Sequence, residues 1–179
     1  MRVVVALLIA LVAAVPALAE EPEPYVRKCA TSQFGDLGAG WQERAVVAGH
    51  VAFLGATPRW RPGGPGAWPV KVVVVVDANA APTVTIAARS RGYASLGYNN
   101  VRHNGRGVTL DLGTQSVRFE ACHAVMSREP WNRGTQFGGY FLVTGRRCVY
   151  IDVATQGKII RRALRFGVPR CARLTTPDA

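Results

Sequence analysis

The feature that most constrains this chain is a two-residue alternation of apolar and polar side chains in short segments, each closed by glycine, proline or a polar turn. Residues 108–112 read V-T-L-D-L, placing Val108, Leu110 and Leu112 on one side. Residues 116–122 return with Val117, Phe119 and Ala121 inward and Arg118 and Glu120 outward. Gly113-Thr114-Gln115 lies between them, so the pattern predicts a β-hairpin. The same period puts Val84 and Ile86 inward in 83–87, and Val149, Ile151 and Val153 inward in 148–153. In 159–168 it puts Leu164, Phe166 and Val168 inward and Arg161 and Arg165 outward. No segment holds a 3.6-residue period over three turns.

Residues 71–76, K-V-V-V-V-V, are too short for a helix and β-branched throughout, which suits a strand buried on both faces. A first strand is predicted over 44–54, with Gly49 as its candidate break, and a short apolar strand over 140–143 after Gly138-Gly139. Thr155-Gln156-Gly157-Lys158 reads as a turn, and the Gly/Pro-rich residues 55–69 as a loop. The whole predicts an all-β fold, an immunoglobulin-like β-sandwich of about seven or eight antiparallel strands over 44–172. Residues 20–43 are expected to be a flexible lead-in and 173–179 a polar tail.

The chain opens with Met1-Arg2, a 13-residue apolar run over 3–15, Pro16, and Ala17-Leu18-Ala19. Charge, length and small residues at the exit predict a secretory signal peptide over 1–19. Its removal from 179 residues leaves 160, enough for one domain with a real core. The run is short for a membrane span, and no later segment is long and apolar enough to be one. The expected location is extracellular or at the cell envelope.

Four cysteines, Cys29, Cys122, Cys148 and Cys171, in an exported chain predict two disulfides. Three connectivities are open. Cys122–Cys148 with Cys29–Cys171 is preferred, since the second bond would tie the N-terminal segment to the last strand. No metal-ligand spacing occurs, so no metal or cofactor is expected.

The full chain carries 22 basic and 11 acidic residues, and 19 of the basic ones are arginine. From Tyr25 onward 21 basic face 8 acidic residues, a formal +13. Such a field attracts polyanions: an anionic envelope polymer or an anionic membrane surface, with no specific nucleic-acid code in evidence. Two groups are candidate ligand contacts. One is Arg59-Trp60-Arg61 with Trp68 in the Gly/Pro loop, where Trp faces stack and Arg forks grip carboxylate or phosphate. The other is the outward set Arg118, Arg161 and Arg165 with Arg146 and Arg147 at a turn.

No catalytic residues are assigned. The G-x-S-x-G elbow is absent. His50 falls in an apolar strand as a structural histidine, His103 in a polar loop, and His123 beside a cysteine expected to be oxidised. Asp111, Glu120 and Asp152 take outward positions that suit pairing with Arg118 or Arg165. The function expected is non-enzymatic binding of an anionic envelope or extracellular component. The alternative is a small extracellular hydrolase of envelope material.

Seven segments resemble small secreted proteins of actinobacteria, a group without an assigned activity. They are V-A-G-H-V-A-F-L (47–54), K-V-V-V-V-V (71–76), A-P-T-V-T-I (81–86), A-S-L-G-Y (94–98), V-R-F-E-A-C (117–122), T-Q-F-G-G-Y-F-L-V-T-G-R-R-C-V (135–149) and R-F-G-V-P-R-C (165–171). His50 stands where such proteins more often carry proline. The resemblance implies an exported, disulfide-containing β domain and supplies no catalytic residue.

Overall fold

The computed structural model describes residues 22–32, 37–99, 107–122 and 134–172. The expected signal at 1–19, the tail at 173–179, His103 and His123 lie outside these residues. Ten strands are present: β1 (Tyr25–Arg27), β2 (Val46–Ala48), β3 (Val51–Leu54), β4 (Ala67–Val76), β5 (Thr83–Ile86), β6 (Ala94–Gly97), β7 (Ser116–Phe119), β8 (Thr135–Thr144), β9 (Arg147–Thr155) and β10 (Lys158–Phe166). They form two five-stranded sheets, β1-β7-β5-β9-β10 and β2-β3-β4-β8-β6. The inner faces share one core, with Val84, Val117, Ile151 and Phe166 from the first sheet and Phe53, Val72, Phe137 and Phe141 from the second. Rings cross the gap edge-on or tilted, as in Phe119–Phe137 (5.0 Å) and Phe141–Phe166 (5.5 Å). The molecule is therefore an all-β sandwich.

The alternation is borne out over 83–87, 148–153 and most of 159–168, whereas Ala121, expected inward, is exposed and Val168 is half-buried. Val84, Ile86, Val149, Ile151, Val153, Leu164 and Phe166 are buried in the core. The valine run is buried on both faces, and the second face has an identifiable cover. Val73 and Val75 lie under Trp41, Leu37 and Leu54. The turn at Gln156–Gly157 has both residues at positive φ, the mirror-image geometry that matches strand twist in two-residue hairpins.

Several expectations are corrected. Residues 44–54 are two strands rather than one, broken at the expected Gly49, where the chain turns back so that Ala48 faces Val51. Residues 67–69 belong to β4, and β8 runs through both glycines. Residues 108–112 do not pair with β7. They cross the outer face of the second sheet, where Val108 and Leu110 pack on Leu142 and Ala67, and close in a 3-10 turn at Leu110–Leu112. The alternation there reports contact with a sheet, and Leu112 is left 40% exposed. The span expected as a flexible lead-in contributes β1 and the buried Trp41. β1 pairs with β7 in parallel, the exception among otherwise antiparallel pairings of the described residues.

That parallel pair also corrects the disulfides, which are Cys29–Cys122 and Cys148–Cys171. β1 and β7 run the same way, so Cys29 and Cys122 leave them at the same end of the sandwich. Cys148 opens β9 and Cys171 follows its hairpin partner β10, at the opposite end. A Cys122–Cys148 bond would have to span the sandwich's long axis, about 30 Å for a nine-residue strand. The Cys29–Cys122 bond encloses a sequence separation of 93. Such a loop is worth roughly 4–5 kcal/mol of unfolded-state entropy in the ideal chain treatment.

Each open flank is stitched by an arginine. Arg27 on β1 is buried and donates to Tyr98 O (2.9 Å) and Gly138 O (3.4 Å) of the other sheet. Arg162 on β10 donates through Nε to Val47 O on β2 (3.0 Å). Tyr98 fills the core behind Arg27 and donates its hydroxyl to Val72 O (2.7 Å), and burial pushes its phenol well above the ordinary range. Its ring lies flat against Gly139, where a Cβ would fall 2.2 Å from a ring carbon. Gly139→Ala is expected to cost about 3 kcal/mol in urea unfolding, and about 1 kcal/mol in a Tyr98→Leu background where the ring is gone.

Candidate functional site

The sequence candidates divide between two places. The first is the end of the sandwich where β8 turns into β9 and β10 finishes. Here three elements meet at Gly167 (φ +72°). Its N–H donates to Thr57 O of the Gly/Pro loop (3.0 Å), and its carbonyl accepts from Arg146 Nε at the β8–β9 turn (2.6 Å). A Cβ on Gly167 would stand 2.6 Å from Trp60 O and 2.8 Å from Arg146 Cγ, so only glycine allows the junction. Arg59, Arg61, Arg146, Arg147 and Arg165 are thereby gathered at one end.

The guanidiniums of Arg61, Arg146, Arg147 and Arg165 are held by neutral groups. Arg61 curls onto the carbonyls of Pro58, Arg59 and Trp60 at 3.2–3.4 Å. Arg165 donates to Pro169 O (3.1 Å). Arg147 lies over the Tyr93 ring at 4.6 Å, with its buried Nε lacking a hydrogen-bond partner among the described residues. Tyr93 is fixed in turn by Ser90 (3.0 Å) and Cys148 O (3.3 Å). Among the described residues, no carboxylate ion-pairs with any of these five arginines; the ion pairs seen are His50–Asp77 and Arg161–Asp152.

Trp60 of the loop and Trp68 of β4 both rest on the protein's own groups. Trp60 packs against the core, edge-on to Phe166 at 6.3 Å. Trp68 lies on Gly63 and donates Nε1–H to Gly64 O (2.9 Å).

The second place is the outer face of the first sheet, and there the arginines do not form a row. Arg161 is bidentate with Asp152 at 2.6 and 2.8 Å, which neutralises it and raises its pKa. Arg118 sits beside Thr83 and Val26, three strands away from Arg161, roughly 14 Å in sheet spacing. Glu120 is engaged elsewhere, accepting from Cys29 N–H at 2.8 Å.

Sequence reasoning missed two arginines of the first site. Arg89 lies over the Tyr150 ring at 4.3 Å, and Arg170 is exposed beside Cys171. Nothing in A-A-R-S-R-G marks Arg89, because the 3-10 turn Ala88–Ser90 that carries it is set by Ser90 Oγ accepting from Tyr150 N–H (2.9 Å). Comparison with protein-family models, curated proteins and solved structures yields no match to this chain.

At the opposite end His50 Nδ1 meets Asp77 Oδ2 at 2.9 Å, and the Gln156 side chain also hydrogen-bonds the ring. Among the described residues no serine, threonine or cysteine side chain hydrogen-bonds this histidine, so a nucleophile and base are not assembled there. The contacts latch the β2–β3, β4 and β9–β10 ends together. The Asp77 and Gln156 hydrogen bonds raise the His50 pKa above its ordinary 6.5. A raised folded pKa gives stability that is full below about 6.5 and is lost as pH climbs through the folded value. His50→Ala is therefore expected to lower Tm by about 1–2 °C near pH 5.5, and by less near pH 9, in paired melts.

Proposed function

We propose that this chain is an exported, non-enzymatic protein that binds polyanionic material of the cell envelope or its surroundings. The binding surface is the arginine-rich end of the sandwich. The observation that carries the reading is the set Arg59, Arg61, Arg146, Arg147 and Arg165, the last four held by backbone carbonyls and a tyrosine ring, with no carboxylate paired to any of the five among the described residues. Arginines held this way keep unspent donors and full charge toward solvent, at little further ordering cost when an anion arrives. Two disulfides suit an oxidising compartment, and among the described residues no helix is long and apolar enough to cross a membrane. The likeness to small secreted actinobacterial proteins supports the same address. We read the framework as immunoglobulin-like in its use: a filled two-layer body that binds with the turns at one end.

Retention on immobilised dextran sulfate tests the reading. The protein is expected to bind at low salt and elute as ionic strength rises. Arg59→Glu with Arg61→Glu should weaken retention at least about 10-fold, while Lys71→Glu with Lys158→Glu, equal in charge change and away from this end, should weaken it far less. No retention at low salt, or equal losses in both double variants, contradicts it.

A further inference from the structure

The end that gathers the arginines also limits what kind of anion it can take. The aromatic rings seen at this end already make contacts within the protein. Arg147 covers Tyr93 and Arg89 covers Tyr150. Trp60 is turned into the core and Trp68 is laid on its own loop. Stacking of a nucleobase or a sugar on these rings would compete with the contacts they already make, and stacking is how single-stranded nucleic acids gain most of their non-ionic affinity. The end also lacks an apolar anchor. The exposed large apolar side chains of the described residues are Val47, Leu112 and Ile159, on β2, in the 3-10 turn beside β6, and at the start of β10. Val47 and Ile159 lie toward the opposite end of the strands and Leu112 on the outside of β6, so none of them stands at the turns that meet at Gly167 and insertion into a bilayer has no purchase here.

What remains is a run of guanidinium forks. Arg59 and Arg61 lie on the loop side, Arg146 and Arg147 at the turn, and Arg89, Arg165 and Arg170 around the Cys148–Cys171 bond. Planar forks with fixed orientation match the oxygens of tetrahedral phosphate in pairs. We propose that this end is a site for a linear chain of phosphates without aromatic bases, the chemistry shared by inorganic polyphosphate and phosphodiester-linked polyols. The proposal rests on the polyanion reading above and narrows it to one ligand class. Adjacent forks engage successive phosphates, and the flexible ligand backbone needs no stacking partner.

The test is titration of the intact, oxidised protein with four probes at one ionic strength: long-chain polyphosphate, poly(glycerol phosphate), polyglutamate matched in charge, and oligothymidylate. At least one of the two base-free phosphate chains should bind about 10-fold or more tightly than polyglutamate, and oligothymidylate no more tightly than that chain. Which phosphate chain binds better identifies the source. The Arg146→Lys, Arg147→Lys variant keeps the charge and removes the forks. It should lose most of the preference for phosphate over carboxylate while holding its affinity for polyglutamate, with an unchanged far-UV spectrum and intact disulfides.

Equal binding of polyglutamate and both phosphate chains overturns this proposal and leaves the general polyanion reading standing. Tighter binding of oligothymidylate than of either base-free chain also overturns it. Absence of binding to all four probes removes both readings together.

Discussion

Burying the inner faces of two five-stranded sheets against each other leaves a body with two open flanks, and a buried polar contact has to close one of them. Arg27 does this on the β1 side. It is buried, and it donates across the gap to the carbonyls of Tyr98 and Gly138. A charge placed there is costly unless it finds acceptors, and its terminal nitrogens find the carbonyls of Tyr98, Thr31 and Gly138, which fixes β1 against the opposite sheet. Tyr98 must then lie flat in the core, and Gly139 must lack a side chain to admit it. β1 in turn carries Cys29 to Cys122. The first disulfide, one wall of the core and the parallel strand pair thus depend on one arrangement around Arg27 and Tyr98.

Outside the shared core, the faces and the two ends of the sandwich differ in how their polar groups are used. The outer face of the second sheet is covered by Trp41 and Leu37 over Val73 and Val75, and by Val108 and Leu110 over Leu142. The outer face of the first sheet spends Arg161 on Asp152. One end is latched by His50 and Asp77 and by the Cys29–Cys122 bond. The other end gathers arginines around Gly167 and the Cys148–Cys171 bond without matching carboxylates among the described residues. The asymmetry between the two ends follows from topology: β8, β9 and β10 bring their turns and termini to the same place as the Gly/Pro loop.

The sequence was legible where a strand has one face in the core and one in water. β5, β9 and β10 alternate for that reason, and their inward residues are those expected. It was misleading where alternation had another cause. Val108 and Leu110 alternate because they lie on the outside of a sheet, without strand pairing. β6 was illegible because all four of its residues are buried, including Ser95, whose hydroxyl is satisfied by Leu110 O at 2.7 Å. β1 was illegible because three residues flanked by proline and charge carry no periodic signal, and their partner lies about 90 residues away. Cysteine pairing failed with it, since it depends on strand direction. Arginine richness was visible in composition, but their convergence was not. Arg59, Arg146 and Arg165 meet only through the junction at Gly167, whereas Arg118 and Arg161, alike on parity, are separated by two intervening strands.

The arginine-rich end is the surface proposed to meet a polyanion. Amide hydrogen exchange with and without saturating dextran sulfate reads this most directly, because it reports position along the chain. Slowed exchange confined to residues 57–61, 145–148 and 165–171 is the predicted result. Protection centred on Arg118 and Thr83, or around His50 and Asp77, or spread evenly over the chain, would contradict it.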